Sequence, residues 1–220
     1  MMNLNEKLQT MKAAIFDMDG TLIDSMPCWR NLNTEFVRSR GIEPTPEQEK
    51  EMFALTGTQV VSYFKERFGL ESDFETLCAQ ACRAMEPVYA AGVPLKSGAG
   101  AYLDRLRERG VLCVLATATP AKQALIALNR MDLVRRLDYI FSTDLIGGNK
   151  GEAAFYDRLC GMIGVPKEDC VMFEDSLYAM QGARAAGLGV VGITDSTNAH
   201  VRAQMQAVCD VVIDSYDELA

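Results

Sequence analysis

Two patterns of apolar and polar positions divide the chain. Outside residues 25–92, short uninterrupted apolar runs alternate with segments in which apolar residues recur every three or four positions. The runs are typical of strands buried on both faces, and the spaced segments predict amphipathic helices. The predicted strands cover 12–16, 111–116, 139–141, 170–173, 188–192 and 211–213. The helices predicted between them cover 98–109, 121–129, 152–163, 177–186 and 198–206. This alternation predicts a parallel sheet with helices on both faces.

Residues 25–92 show the helical pattern alone. Trp29 and Phe36, for example, fall on one face of the first helix. The predicted helices cover 27–40, 58–68, 73–90 and a segment that begins at 45, where a threonine precedes a proline. Helices without strands predict a small bundle. We therefore predict an α/β fold: a doubly wound parallel-sheet (Rossmann-like) core of residues 1–24 and 93–220, with residues 25–92 inserted as an α-helical bundle cap.

The net charge of the chain limits the classes of partner that it is expected to bind. The 220 residues include 30 acidic and 22 basic side chains, a formal net charge of −8. Such a chain lacks a basic surface for nucleic acid or anionic membrane, so we expect neither partner. Residues 1–10 are polar, lack the apolar centre of a secretion signal and are expected to fray. Seven cysteines form no CxxC pair, which is typical of reduced thiols and favours a cytoplasmic location.

Polar side chains follow several predicted strands at the point where each strand ends. They are Asp17, Asp19, Thr117, Glu174 and Asp175, with Lys150 just before the helix over 152–163. Because the carboxyl ends of parallel strands meet at one edge of a sheet, we expect these side chains to lie close together. The chain has a single histidine, His200, so acid–base chemistry here is expected to use carboxylates.

Crowded carboxylates need a positive charge near them, and a hard divalent cation such as Mg²⁺ suits oxygen ligands. A cation, a lysine and hydroxyl groups together form a receptor for a phosphate group. A carboxylate in that receptor is able to attack phosphorus and form an aspartyl-phosphate. A calcium loop would also use Asp-x-Asp-Gly, but it needs further oxygen ligands within about twelve residues, and none follow in register.

The order of these motifs along the chain resembles that of a known family. Asp-x-Asp-Gly-Thr-Leu from Asp17, Thr117, Lys150 and Glu174-Asp175 resemble the four motifs of the haloacid dehalogenase superfamily. The segments 173–176 and 183–193 resemble its β-phosphoglucomutase-like phosphatase branch, and the helical insert is similar to the cap domain of that branch. The resemblance implies a Mg²⁺-dependent phosphatase that hydrolyses a small phosphorylated metabolite, such as a sugar or polyol phosphate, through an aspartyl-phosphate intermediate. We expect a monomer or weak dimer.

The resemblance also implies roles for the motif residues. Asp17 would be the nucleophile and a metal ligand. Asp19 would be the general acid and base, and its backbone carbonyl would bind the metal. Thr117 would hydrogen-bond phosphoryl oxygens, and Lys150 would neutralise both Asp17 and the phosphate. Asp175 would bind the metal, with Glu174 either as a ligand or beside one. The implied substrate-binding positions are Gly20, Thr21, Ala118, Thr58 and Trp29.

Two residues separate the possible reactions. Dehalogenases that this chain resembles lack a carboxylate at the position of Asp19, which favours phosphate esters over halides. Sugar-phosphate mutases of the same branch carry a cap histidine at the position of Trp29, which favours hydrolysis over the mutase reaction. A sugar-phosphate mutase of the β-phosphoglucomutase type remains an alternative. So does a non-catalytic phosphate-binding regulatory protein.

Overall fold

The computed structural model describes residues 4–55, 58–71, 73–194 and 198–219, with backbone only at 4, 5, 53, 54, 58 and 74. The helices are α1 Leu4–Thr10, α2 Met26–Ser39, α3 Pro46–Ala54, α4 Thr58–Phe68, α5 Phe74–Ala91, α6 Ala99–Glu108, α7 Ala121–Arg130, α8 Thr143–Ile146, α9 Ala153–Ile163, α10 Leu177–Ala186 and α11 Arg202–Val208. The strands are β1 Ala13–Phe16, β2 Leu112–Thr117, β3 Tyr139–Ser142, β4 Cys170–Glu174, β5 Gly189–Ile193 and β6 Val211–Ile213. Short 3₁₀ turns cover Val134–Arg136, Lys167–Asp169, Ala199–Val201 and Tyr216–Leu219.

The described strands form one parallel sheet in the order β3-β2-β1-β4-β5-β6. The strand β1 is central, and its Ile15 pairs with Val114 on one side and Met172 on the other. Chain order reverses at β1, so the sheet is doubly wound and the crevice beyond its carboxyl ends is the expected ligand position. The predicted fold class is confirmed.

Both faces of β1 are covered, which explains its unbroken apolar run. Ala14 and Phe16 pack with α6 and α7, while Ala13 and Ile15 pack with α9 and α10. The Phe16 ring stacks on Phe173 of β4 at 4.6 Å between centroids. Such a pair adds about 0.5–1.5 kcal/mol to the burial of the two rings. Adjacent strands therefore hold the first and fourth motifs side by side.

The helical insert follows from its own local signals. Thr45 caps α3 through a reciprocal capping box with Gln48. Val37, Met52, Phe64 and Leu77 form a buried apolar cluster within the insert. The opposite ends of α2 and α5 reach the main core, where Trp29, Met85 and Tyr89 join the cluster beneath the sheet. The boundaries at 25 and 92 remain a prediction.

The two connections of the insert to the sheet run side by side. Asp24 N–H donates to Pro94 O at 2.8 Å, and Lys96 N–H donates to Leu22 O at 2.9 Å. The Lys96 ammonium also lies 3.0 Å from Asp24 Oδ1. This paired connection begins a few residues after Asp19, so the insert is joined to the core beside the predicted site.

For residues 4–10 the structure corrects the expectation of fraying, since Leu4–Thr10 form α1; residues 1–3 lie outside the described part of the chain. The guanidinium of Arg109 donates to the carbonyl oxygens of Leu8 and Gln9, at 2.8 and 2.9 Å, and fixes the end of this helix. The short helix α8, Thr143–Ile146, was also not predicted. Among the described helices, none combines the length and the apolar character that crossing a bilayer requires.

Candidate active site

Strand pairing brings the predicted carboxylates together. Asp17 is the first residue after β1, and its N–H donates to Phe173 O of the neighbouring strand at 3.0 Å. Glu174 ends β4 and Asp175 follows it. Carboxylate oxygens of Asp17, Glu174 and Asp175 all lie within 4.8 Å of one another, and all three residues are buried. The sequence prediction that these acids share one edge of the sheet is therefore correct.

Lys150 lies between two of these acids. Its ammonium is 2.6 Å from Asp17 Oδ1 and 2.7 Å from Glu174 Oε2. Only 2% of the residue is exposed. Burial alone would lower the pKa of Lys150, but Asp17 and Glu174 raise it well above its usual range. The lysine is thus a fixed cation that faces the predicted nucleophile.

The lysine does not balance the negative charge of the cluster. Burial raises the pKa of Asp17 to about 8, with Lys150 acting in the opposite direction and Glu174 in the same direction. Burial and the neighbouring Glu174 and Asp17 hold the pKa of Asp175 well above its usual range. Three carboxylates share one ammonium in a site from which water is largely excluded. This arrangement is one that a further cation would stabilise.

The donor set fits a hard divalent cation. Glu174 Oε1 accepts from the backbone N–H groups of Asp175 and Ser176, at 3.1 and 3.0 Å, and Oε2 faces the lysine. Glu174 Oε1 is therefore held by the backbone and Oε2 forms an ion pair with Lys150, and Asp17, Glu174 and Asp175 together offer carboxylate oxygens that could hold an ion. Mg²⁺ takes carboxylate and water oxygens. These three side chains could therefore hold it.

Gly20 allows the loop after β1 to approach Asp175. Its φ is +78°, a conformation that side-chain-bearing residues rarely adopt, and an ideal Cβ would lie 2.2 Å from Asp175 Oδ2. Gly20 therefore lies next to the site, in a backbone conformation and at a distance from Asp175 that only glycine allows. Thr21, the next residue, is fully buried, and its hydroxyl has no hydrogen-bond partner among the described residues.

Asp19 is not part of the group of three acids, and its carboxylate accepts four hydrogen bonds. Ser25 Oγ, Trp29 Nε1 and Tyr89 OH donate to its Oδ1 at 2.6, 2.9 and 2.7 Å. Thr119 Oγ1 donates to its Oδ2 at 2.7 Å. Ser25 occupies the N-cap position of α2, with its hydroxyl turned to Asp19 rather than to the helix; Trp29 lies in the first turns of α2 and Tyr89 near the end of α5. The carboxylate is therefore held in one orientation by the insert and the core together.

The remaining predicted residues fall in different environments. Thr117 ends β2 and is buried, and its Oγ1 accepts from Thr119 N–H at 3.1 Å. Ala118 is exposed. Trp29 is half-buried and donates its Nε1–H to Asp19; its contact with substrate remains a prediction. Thr58 begins α4, but its side chain lies outside what the structure describes.

Three residues around Asp19 were not predicted. Thr119 follows Thr117 by two positions, so its place after a strand end was a usable signal. Ser25 stands directly before the first helix of the insert, a position at which serine is common as an N-cap and therefore gives no signal of function. Tyr89 is 70 residues from Asp19 and looks like an apolar helix position. Tyr89 reaches the Asp19 carboxylate only because the helices of the insert fold back onto the core.

A cavity of about 630 Å³ lies among the helices of the insert and reaches one residue of the core. Its walls are mostly apolar side chains of α2, α4 and α5, including Phe36 and Ala81, and on the core side it is lined by Tyr178. An ideal Cβ on Gly151 would lie 3.0 Å from the Tyr178 ring, so this ring packs against the residue next to Lys150. Among the described residues, none of the predicted site residues lines the cavity, and Tyr178 is its link to the segment that carries Lys150.

Known proteins resemble this chain over most of its length. Residues 11–187 match the family model of the haloacid dehalogenase-like hydrolases. The phosphorylated carbohydrates phosphatase of Thermotoga maritima is 25% identical over 189 residues, which cover 86% of this chain and 88% of that protein. Hexitol phosphatase B of Escherichia coli is 30% identical over 177 residues, 79% of each chain. Crystalline CbbY from Rhodobacter sphaeroides, in complex with phosphate, shares the fold with a TM-score of 0.77, 22% identity and coverage of 96% of each chain.

Proposed function

Since this chain belongs to the haloacid dehalogenase-like hydrolases, we propose that it is a phosphoric monoester hydrolase, a Mg²⁺-dependent phosphatase of a small phosphorylated metabolite. Its similarity to a phosphorylated carbohydrates phosphatase and a hexitol phosphatase favours a sugar or polyol phosphate. The observation that carries the proposal is the buried lysine that lies 2.6 Å from a strand-end aspartate within a cluster of three carboxylates.

Asp17 is the proposed nucleophile. One of its carboxylate oxygens attacks phosphorus, the bond from phosphorus to the ester oxygen breaks, and the phosphoryl group is transferred to Asp17. Asp19 gives a proton to the departing oxygen. It then takes a proton from the water that attacks the aspartyl-phosphate, which releases inorganic phosphate and restores Asp17. Lys150 stabilises the charge that develops on the phosphoryl oxygens, and Thr117 donates a hydrogen bond to them.

The metal would be held by Asp17, Asp175 and the backbone carbonyl of Asp19. When bound, Mg²⁺ offsets the negative charge of the phosphate and of the carboxylates around it. We assign Glu174 to the positioning of Lys150, because both of its oxygens already have partners. The carboxylate at Asp19 keeps its place through its own hydrogen bonds and serves the leaving group rather than the metal.

Trp29 supports hydrolysis over the mutase reaction. An indole N–H donates a hydrogen bond but does not exchange a proton as imidazole does. Here that N–H is engaged by Asp19 at 2.9 Å. We further propose that the leaving alcohol enters the cavity of about 630 Å³ lined by α2, α4, α5 and Tyr178, where the apolar walls bury it and limit the access of water.

The test is turnover of p-nitrophenyl phosphate and of a panel of sugar and polyol phosphates, with Mg²⁺ and with chelator. We expect turnover that chelator abolishes and that Asp17→Asn lowers to background. The control is Asp157→Asn, since Asp157 is half-exposed and pairs only with Lys167 among the described residues. Turnover retained in Asp17→Asn would refute the mechanism. Isomerisation of β-glucose 1-phosphate without phosphate release would select the mutase, and Mg²⁺-dependent binding without turnover would select the regulatory protein.

A further inference from the structure

The two oxygens of Asp19 have unequal hydrogen-bond partners. Oδ1 accepts from Ser25, Trp29 and Tyr89, whereas Oδ2 accepts from Thr119 alone among the described residues. A carboxylate offers about two lone-pair sites on each oxygen. Oδ1 is thus saturated, and Oδ2 retains one acceptor site.

We propose that Tyr89 and Trp29 are positioning residues that commit Oδ1 of Asp19 to its orientation and leave Oδ2 to exchange the proton with the leaving group. This inference rests on the proposed function, in which Asp19 acts on the ester oxygen. It assigns one oxygen of the acid to catalysis and the other to the helical insert. Neither residue touches the phosphate in this assignment.

The surroundings of each oxygen agree with this division. Ser25, Trp29 and Tyr89 belong to α2 and α5 or to the cap of α2, so Oδ1 faces the insert. Thr119 belongs to the loop after β2, and its N–H donates to Thr117 Oγ1 at 3.1 Å. Oδ2 therefore lies on the side of the loop that carries the predicted phosphate-binding hydroxyl.

Tyr89 is the most informative of the three donors to Oδ1. The residue is completely buried, and its hydroxyl lies 2.7 Å from Oδ1. Asp19 Oδ1 accepts, so the Tyr89 hydroxyl is the donor of this bond. Replacement by phenylalanine removes this donor and leaves the ring in place, which makes it a small perturbation of the packing.

The test uses two aryl phosphates of similar shape. p-Nitrophenolate departs without a proton, whereas phenolate is a poorer leaving group and depends more on the acid. We expect Asp19→Asn to lower kcat/KM for phenyl phosphate much more than for p-nitrophenyl phosphate. We expect Tyr89→Phe and Trp29→Phe to lower the phenyl to p-nitrophenyl ratio of kcat/KM about tenfold, a fraction of the 10²–10⁴ that general acid catalysis contributes.

The matched control is Tyr216→Phe, which removes a fully buried phenol hydroxyl that has no hydrogen-bond partner among the described residues. Its substrate ratio should equal that of the wild type. The ratio is independent of the folded fraction of each variant, so partial unfolding does not imitate the effect. If Tyr89→Phe and Trp29→Phe keep the wild-type phenyl to p-nitrophenyl ratio while Asp19→Asn lowers it, the positioning inference is overturned and the proposed function stands. An unchanged ratio in Asp19→Asn would overturn the role of Asp19 in the proposed function and the inference with it.

Discussion

Alanine at Gly182 should push α10 away from the loop that carries Lys150. An ideal Cβ at Gly182 would lie 2.2 Å from Lys150 O, 2.7 Å from Gly151 C and 3.0 Å from Glu152 N. These are backbone atoms, so no side-chain rotation relieves the contact. Ordinary contact begins near 3.4 Å, and the helix or the loop must therefore move by about 1 Å.

The expected magnitudes follow from this displacement. Overpacking of a close contact lowers the free energy of unfolding by about 1–3 kcal/mol. The higher helix propensity of alanine offsets about 1 kcal/mol of that loss. A displacement of about 1 Å near the reacting groups can lower the rate about 10²-fold. Because Lys150 Nζ lies 2.6 Å from Asp17 Oδ1, this contact is short enough to be sensitive to such a shift. We expect kcat/KM to fall at least about tenfold.

Gly161→Ala is the matched control. Gly161 also lies inside a helix, α9, and an ideal Cβ there has nothing within 4 Å. It should gain about 0.5–1 kcal/mol and keep its activity. The assays are urea unfolding and kcat/KM for p-nitrophenyl phosphate on wild type and both variants. If Gly182→Ala were as stable and as active as Gly161→Ala, the claim that α10 positions Lys150 would be refuted.

Three further outcomes are expected. Lys150→Met leaves the carboxylate of Asp17 buried without its cation. In the presence of chelator, it should lower the free energy of unfolding, measured with urea, by about 3–5 kcal/mol. A loss below about 1 kcal/mol would contradict the buried ion pair described above. The hydrogen bond from Arg136 holds the pKa of Asp104 below its usual range, so its contribution is present above about pH 4 and is lost as the pH falls through the lowered pKa; the stability lost on Asp104→Asn should accordingly be smaller at pH 3 than at pH 7. Ala81→Leu reduces the cavity and should lower kcat/KM for a hexitol phosphate about tenfold more than for a two-carbon phosphate, whereas equal losses would place the leaving group elsewhere.

The attacking half of the site could be predicted because it depends on regular structure. Asp17, Glu174 and Asp175 stand at the ends of strands that are adjacent in a doubly wound sheet, and the pairing of Phe16 with Phe173 fixes their register. A parallel α/β pattern therefore places these acids before any side-chain geometry is known. Lys150 precedes a helix in the same pattern, and the structure places it between two of the acids.

The surroundings of Asp19 could not be predicted in the same way. Tyr89 lies on α5, and its distance from Asp19 depends on how the helices of the insert cross, which apolar spacing does not specify. The N-terminal helix illustrates a similar limit. Its apolar positions are few, although Leu4 and Leu8 have helical spacing, and the end of the helix is fixed by Arg109, 101 residues from Leu8. Contacts between distant segments decided both outcomes.

These two halves of the site have different structural origins, which has a consequence for specificity. The groups proposed to bind phosphate and to attack it, Asp17 and Lys150, are positioned by the sheet and by α10. The group proposed to protonate the leaving oxygen, Asp19, is oriented through Trp29 and Tyr89 by the helical insert, whose apolar side chains also line most of the cavity. Substitutions in α2 and α5 should therefore change the dependence of the rate on the leaving group while phosphate binding is retained. In the proposed function, the insert would therefore both select the leaving group and place its acid.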